Sequence, residues 1–284
     1  MHILFDIGGT TMRIALLRGE HFEPPMKLKT PANDVHECVR QFVASARELA
    51  DGEHIESATG DISAIFDHGR EKIVGAPHLP GFVGFSFATM LEEALGAPVF
   101  AENDAMVVGL GESTRGAGRG AKLAAYVTVS TGVGGARING GVIERGVFGF
   151  EPGHQIISLG PYGADESSTL EQQVSGSAFL RRYGRPAYEV SETEAWEEAA
   201  YVLAAGLTNL TLLWSPEVIV LGGSMMVGTH GPTIPLAALR RHFDRMLRVF
   251  PEKPALRLAE LGDEGGLYGA QALVQSRSAA TPRP

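Results

Sequence analysis

Asp6-Ile7-Gly8-Gly9-Thr10-Thr11 directly follows the short apolar run His2-Ile3-Leu4-Phe5, and Ser130-Thr131-Gly132-Val133-Gly134-Gly135 closes a second such run that starts at Leu123. Two strand-to-Gly/Thr turns in one chain predict two similar halves that grip one nucleotide. Glycine lets the backbone approach phosphate oxygens with no Cβ in the way, while Thr hydroxyls and turn N–H groups donate hydrogen bonds to them. An acid at the end of its strand, Asp6, is placed to hold the Mg²⁺ that travels with a polyphosphate. A pair of plain hairpin turns uses the same residue types, so the decision between the two readings falls to motifs elsewhere in the chain.

A length of 284 residues fits two domains of ordinary size, and 44% hydrophobic residues with 36 glycines point to a turn-rich α/β protein. With 33 acidic against 24 basic residues the formal charge is −9, which argues against a nucleic-acid partner. ATP remains compatible with that charge, because glycine turns and Mg²⁺ handle the phosphates locally. The one cysteine, Cys38, excludes an intramolecular disulfide and a cysteine metal cluster, and reads as a buried thiol on a helix. No basic segment leads into an apolar run at the start of the chain. A long charge-free stretch, Ala199 to Pro216, is interrupted by Thr208, Asn209 and Thr211 and reads as a buried helix. The expectation is a cytoplasmic protein with no membrane contact.

The opening reads as a meander over His2–Phe5, Met12–Leu17 and Pro25–Lys29. A helix follows over Val35–Ala50, capped by Asn33 or Asp34, with Val35, Val39, Phe42, Val43, Ala46 and Leu49 on one face. A strand near Ile55–Thr59, a helix near Ser86–Leu95 and a strand over Pro98–Ala101 complete an α/β unit. The Gly-rich connector Ser113 to Gly120 marks a boundary. Beyond it the pattern recurs: a strand over Leu123–Ser130, a turn over Gly132–Gly135, a strand over Ala136–Ile138, then Asn139-Gly140-Gly141. That recurrence predicts a domain duplication. Helices are expected near Leu170–Tyr183, Glu192–Leu213, Leu236–Arg248 and Gly265–Ala272, with the strand Val218–Leu221 ending in Gly222-Gly223. Arg240, Arg241, Arg245 and Arg248 read as a solvated face.

Asp104 follows the strand over Pro98–Ala101, at the carboxyl end where open α/β sheets place ligands. A carboxylate there can accept a hydroxyl proton in phosphoryl transfer; as an alternative it would cap a helix over Ala105–Glu112. Glu151-Pro152-Gly153-His154 sets an acid and an imidazole three apart across a bend, groups that suit polyol hydroxyls, with Glu171 as a third member. Gly222-Gly223 could let an adenosine lie on bare backbone. No Gly-x4-Gly-Lys-Ser/Thr loop, Gly-x-Gly-x-x-Gly fingerprint or Gly-x-Ser-x-Gly elbow occurs.

Taken in order, these segments resemble the ROK family of bacterial sugar kinases and sugar-responsive regulators. Asp6 to Thr10 is similar to its first phosphate motif, Ala76-Pro77-His78-Leu79-Pro80-Gly81-Phe82 to its sugar-side loop, and Glu102-Asn103-Asp104-Ala105 to its catalytic segment. Thr131 to Gly135 resembles the second phosphate motif, Glu151 to His154 the Glu-x-Gly-His sugar motif, Leu170-Glu171 with Ser175-Gly176 the segment that follows, and Pro216 to Gly223 the adenosine motif. The resemblance implies an actin-like ATPase fold, α/β, with two ribonuclease-H-like domains closing on ATP-Mg²⁺ and a hexose. The expected domains are 1–113, completed by a C-terminal helix over about 265–284, and 114–264. The resemblance makes Asp104 the general base. Asn103, Glu151, His154 and Glu171, with His78 and Gly81 of the sugar-side loop, would bind sugar. Asp6, Gly8, Gly9, Thr10, Thr11, Thr131, Gly132, Gly134, Gly222 and Gly223 would face ATP, with Asp6 toward Mg²⁺.

Five departures stand out. No cysteine cluster lies in Gly160 to Ser168, so no zinc is expected. Thr11 stands where the family commonly has Lys, and His78 where Asn is usual. Ala58-Thr59-Gly60-Asp61-Ile62-Ser63 breaks the usual Gly-x-Pro/Ala-Gly pattern, and Ser130-Thr131-Gly132 replaces Gly-Thr-Gly. The expected activity is ATP-dependent phosphorylation of a glucose-type hexose, with N-acetylmannosamine, N-acetylglucosamine, fructose and mannose as alternatives. A sugar-sensing regulator ranks lower, because the first motif begins at residue 6 and the chain is acidic. A homodimer is compatible with the family.

Overall fold

The computed structural model describes residues 1–147, 149–159 and 168–280. The chain divides into two compact units, Met1–Gly111 joined by the segment from Asp263 onward, and Glu112–Gly262.

The first unit opens with β1 (His2–Ile7), β2 (Thr11–Arg18), β3 (His21–Phe22) and β4 (Met26–Lys29), followed by α1 (Val35–Ala50). Then come β5 (Ser57–Ile62), the small hairpin β6 (Ile65–Phe66) and β7 (Ile73–Gly75), α2 (Phe87–Leu95), β8 (Val99–Asn103) and α3 (Asp104–Thr114). The sheet runs β3-β2-β1-β5-β8, with β4 also on β2. β1 is antiparallel to β2 and parallel to β5, which is parallel to β8. Asp34 caps α1 by accepting the Glu37 N–H at 3.0 Å. The helix buries the expected stripe, and the Phe42 ring meets Phe5 edge-on at 5.3 Å; burying one such side chain contributes roughly 1.5–3 kcal/mol. Cys38 lies on this face with its Sγ 3.9 Å from Met12 Sδ, and burial pushes the thiol up to about 12.

β5 and β8 extend further than their composition suggests. β5 runs to Ile62 and β8 to Asn103, because parallel pairing sets Asp61 opposite Glu102 and Ile62 opposite Asn103 and draws polar residues into the ladder.

The second unit contains β9 (Leu123–Val129), β10 (Val133–Asn139), β11 (Val142–Glu144), α4 (Leu170–Val174), α5 (Gly176–Tyr183) and α6 (Thr193–Trp214). It continues with β12 (Val218–Gly222), α7 (Ser224–Val227), α8 (Leu236–Met246) and β13 (Ala255–Leu258). Its sheet runs β11-β10-β9-β12-β13, three antiparallel strands and then two parallel additions, the same plan as the first sheet. The interval 199–214 is part of α6, which is buried along one face while Tyr201, Leu212 and Leu213 are exposed; the Thr208 and Thr211 hydroxyls each donate to the carbonyl four residues back at 2.7 Å. Arg240 on α8 donates to the Leu256 carbonyl and Arg241 pairs with Glu197, so two of the four arginines are tied into the unit.

Two expectations are corrected here. β10 begins at Val133, so Gly134 and Gly135 are strand residues and the turn narrows to Ser130–Gly132; a Cβ on Gly135 would stand 2.7 Å from Pro152 Cγ and from the Tyr126 carbonyl oxygen. The helix expected over Leu170–Tyr183 is two helices, split at the extended Ser175, whose hydroxyl caps α5 by accepting the Ala178 N–H.

α9 (Gly265–Ala280) belongs to the first unit and packs on β5 and β1. A Cβ on Gly269 would strike the Val107 carbonyl, and one on Gly111 would stand 2.5 Å from the Gly265 carbonyl oxygen, so α3 and α9 cross backbone to backbone. The helix runs eight residues past its expected end at Ala272, since Leu273 and Val274 continue its buried face. Among the described residues no helix is long and apolar enough to cross a membrane.

Candidate active site

In the first unit the β1–β2 turn closes with the Gly8 N–H donating to the Thr11 carbonyl at 3.0 Å. Thr10 is exposed at its tip, its carbonyl accepting the Thr30 N–H, and Thr11 pairs with Lys29 of β4. Gly9 has a steric reason to be glycine: a Cβ there would stand 2.5 Å from His78 Cβ. That contact sets His78, exposed in the loop before α2, beside the turn. Gly81 is held by backbone, with its N–H donating to the Ala32 carbonyl and the Asn33 carbonyl filling the space of a Cβ.

Asp104 follows β8 directly and is half-buried. Burial raises its carboxyl above the usual carboxylate range, and a hydrogen bond with Ser63, the Ala105 N–H at 2.8 Å and the nearby His78 hold it down. The helix cap expected of Asp104 is made by Asn103, whose Oδ1 accepts the Met106 N–H at 3.3 Å while its Nδ2 donates to the Ala64 carbonyl. Asn103 precedes the first helical residue, where a side-chain acceptor reaches the third N–H beyond it. Glu102 is buried and pairs with Arg70.

Asp6, at the end of β1, receives Arg13 Nη1 at 2.8 Å, and the same guanidinium reaches Asp263 at 3.3 Å. Asp61 sits on the adjacent strand, directly across from Asp6. Burial and the neighbouring Asp6 and Asp104 push Asp61 well above the carboxylate range. Burial also raises Asp6, with Arg13 and the Asp61 hydrogen bond opposing.

In the second unit the β9–β10 turn is tied down by other segments. The Ser130 carbonyl accepts the Gly176 N–H at 2.7 Å, and the Thr131 carbonyl accepts the Ser177 N–H at 3.1 Å. The break before α5 frees these donors. Glu171 Oε2 accepts the Val133 N–H at 2.8 Å and fills the space a Cβ on Gly132 would need. Pro152–His154 form a 3-10 turn with Glu151 and His154 exposed on either side, and a Cβ on Gly153 would strike the Val133 carbonyl. Gly222 packs against the Tyr126 ring, and Gly223, at φ +86°, lies against the Val129 carbonyl, where a side chain would be strained.

Beside this turn a cavity of about 580 Å³ opens, walled by Ser130, Thr131, Leu180, Tyr188, Met225 and His230. Its size is that of a pocket for a drug-sized ligand. Sequence reasoning passed over Tyr188, Leu180 and His230 here, and over Arg13 and Ser63 in the first unit. Arg13 could have been found from its place on the same strand face as Thr11; the cavity wall leaves no such trace. Residues 160–167, where the cysteine-free loop was expected, lie outside the described residues. Among the described residues no three or more His, Cys, Asp or Glu form a group that could hold a metal by themselves.

The chain is similar over 97% of its length to a ROK hexokinase from Thermus thermophilus, covering 99% of that chain with 29% identity and a TM-score of 0.82. A ROK family glucokinase from Streptomyces griseus, solved in complex with glucose and AMPPNP, matches with 26% identity and a TM-score of 0.76 over 97% of this chain and 99% of that one. The bifunctional enzyme NanE/NanK of Brucella suis is 28% identical over 96% of this chain, which spans 53% of that longer protein. The paired sheets are thus those of the actin-like ATPase fold. The ROK family model matches residues 3–277, with both Gly/Thr turns and the strand that delivers Asp104 inside that span, and the chain belongs to the ROK family.

Proposed function

We propose that this protein is an ATP-dependent sugar kinase that phosphorylates a glucose-type hexose, with Asp104 as the general base. The observation that carries the reading is Asp104 itself: a half-buried carboxyl after a parallel strand, held by Ser63 and the Ala105 N–H. The sugar hydroxyl gives its proton to Asp104 as its oxygen attacks the γ-phosphorus. The bond from that phosphorus to the bridging oxygen of ADP breaks, and the proton ends on the Asp104 carboxyl. Positioning and charge stabilisation supply most of the acceleration.

Asn103, Glu151, His154 and Glu171 act on the sugar hydroxyls, with His78 in the sugar-side loop. The Thr10 and Thr131 hydroxyls and the N–H groups of Gly8, Gly9 and Gly132 serve the phosphates. The cavity beside Ser130 and Thr131 suits the nucleoside, with Tyr188 as an aromatic wall. Mg²⁺ fits the donor set of the first unit, where Asp6 is partly open to solvent, with a side-chain exposure of 17%. Bound there through Asp6, it would neutralise charge on the transferring phosphoryl group.

A coupled ADP-release assay with ATP-Mg²⁺ across glucose, mannose, fructose, N-acetylglucosamine and N-acetylmannosamine tests the reading. Turnover highest with glucose and lost in Asp104→Asn is the expected result. A preference for an N-acetylhexosamine would move the substrate and keep the kinase. Sugar binding with no turnover for any member would replace the kinase with a sensor.

A further inference from the structure

The β1–β2 turn, residues 8–11, offers hydroxyls and N–H groups but no cation of its own. On the kinase reading it serves the transferring end of the triphosphate. Gly9 abuts His78, and His78 lies near Asp104, the carboxyl that takes the proton of the hydroxyl attacking the γ-phosphorus. Phosphoryl transfer is accelerated chiefly by positioning and by charge stabilisation at that phosphorus, and a lysine ammonium is a common source of the charge. The cation on β2 itself, Arg13, is committed to Asp6 and Asp263.

The neighbouring strand supplies another. Lys29 of β4 stands directly opposite Thr11 in the antiparallel register, so the two side chains leave the sheet on the same face. The next residue, Thr30, donates its N–H to the Thr10 carbonyl at 3.0 Å, which fixes the end of β4 against the tip of the turn. Lys29 is exposed, and among the described residues its ammonium makes no ion pair or hydrogen bond. A cavity of about 380 Å³ runs along β4, bordered by Lys27, Lys29, Thr30, Pro31 and Gln41, so the lysine stems face open space.

We propose that Lys29 is a phosphate-binding residue, whose ammonium reaches past Thr11 on its flexible four-carbon stem and stabilises the charge on the γ-phosphoryl group during transfer. The proposal rests on the kinase reading for the identity of the nucleotide. The competing account makes Lys29 an edge guard, since β4 is an outer strand and lysines there discourage pairing with other chains. Lys27 separates the two. It lies two residues back on the same strand and face, opposite Arg13 instead of the turn, and is also exposed and unpaired among the described residues. An edge guard makes the two lysines equivalent, and a phosphate ligand does not.

Acetylation of the unmutated full chain by an N-hydroxysuccinimide ester, read residue by residue with mass spectrometry, tests this without a variant. With MgAMPPNP at about ten times its dissociation constant, modification of Lys29 should slow about tenfold, while AMP leaves it unchanged and Lys27 reacts at one rate throughout. No protection by MgAMPPNP, equal protection of both lysines, or protection by AMP as strong as by MgAMPPNP overturns the proposal. In the hexose assay Lys29→Met, shown to be folded by circular dichroism, should lower kcat about 10²-fold, and Lys27→Met should leave it unchanged. Equal kcat values in the two variants also overturn the proposal. Selective protection of Lys29 in a protein that phosphorylates no hexose would sink the kinase reading and leave this one standing. Hexose turnover with Lys29 unprotected would do the reverse.

Discussion

The β1–β2 turn and the β9–β10 turn share a plan and differ in what surrounds them. Around the first are ionisable groups: Asp6 with Arg13 at 2.8 Å, Asp61 across the strand, and Asp104 after β8. Around the second are backbone ties from Gly176 and Ser177, one carboxylate in Glu171, and a cavity walled largely by side chains such as Leu180, Tyr188 and Met225. One fold unit, used twice, is thus equipped for charge and proton work in one copy and for shape in the other. The difference lies in the side chains that later segments bring to each turn.

If that division is right, damage to the first turn's neighbours should fall on turnover and damage to the second on ATP binding. The largest effect is expected from Asp104→Asn, which should lower kcat about 10²- to 10⁴-fold and leave ATP affinity near its original value. Equal loss in kcat and in ATP binding would erase the contrast. Gly223→Ala comes next: a side chain at φ +86° against the Val129 carbonyl should cost about 1–3 kcal/mol. It should lower the thermal midpoint and raise the KM for ATP while the KM for sugar holds. Tyr188→Ala, which removes an aromatic wall of the cavity, should raise the KM for ATP about three- to tenfold with kcat little changed. A rise in the sugar KM instead would reassign the cavity.

The smallest effect sharpens the first half of the comparison. Burial raises Asp104, and the base must be ionised to accept a proton, so kcat/KM should fall as pH is lowered through a value above the ordinary aspartate pKa of about 3.9. The Ser63 hydrogen bond favours the charged form, so in Ser63→Ala the acid limb should move to still higher pH. A limb at or below the ordinary value would show that the group being titrated is not Asp104.

Both turns and α1 were legible because their signals are short-range. Glycine and threonine follow an apolar run, and the stripe Val35, Val39, Phe42, Val43 and Ala46 repeats at helical spacing behind an Asp cap. The order of motifs was legible too, and with it the family. Gly134 and Gly135 misled: glycines mark turns locally, yet these two lie in a strand because Pro152 and Tyr126 take the space a side chain would use. The break at Ser175 was equally hidden. Nothing in Leu170–Tyr183 announces that the Gly176 and Ser177 N–H groups are needed at Ser130 and Thr131, more than forty residues earlier.

The sequence by itself determined the duplicated strand and turn plan, the helix over Val35–Ala50 and the acid that follows β8, the last strand in the first sheet's order, since each depends on residues within a few positions of one another. Only the tertiary structure decided that Asp61 is buried against Asp6, that Asn103 caps α3 so that Asp104 need not, and that a cavity opens beside Thr131. Those outcomes depend on strand pairing and packing between residues dozens of positions apart, which local propensity does not encode.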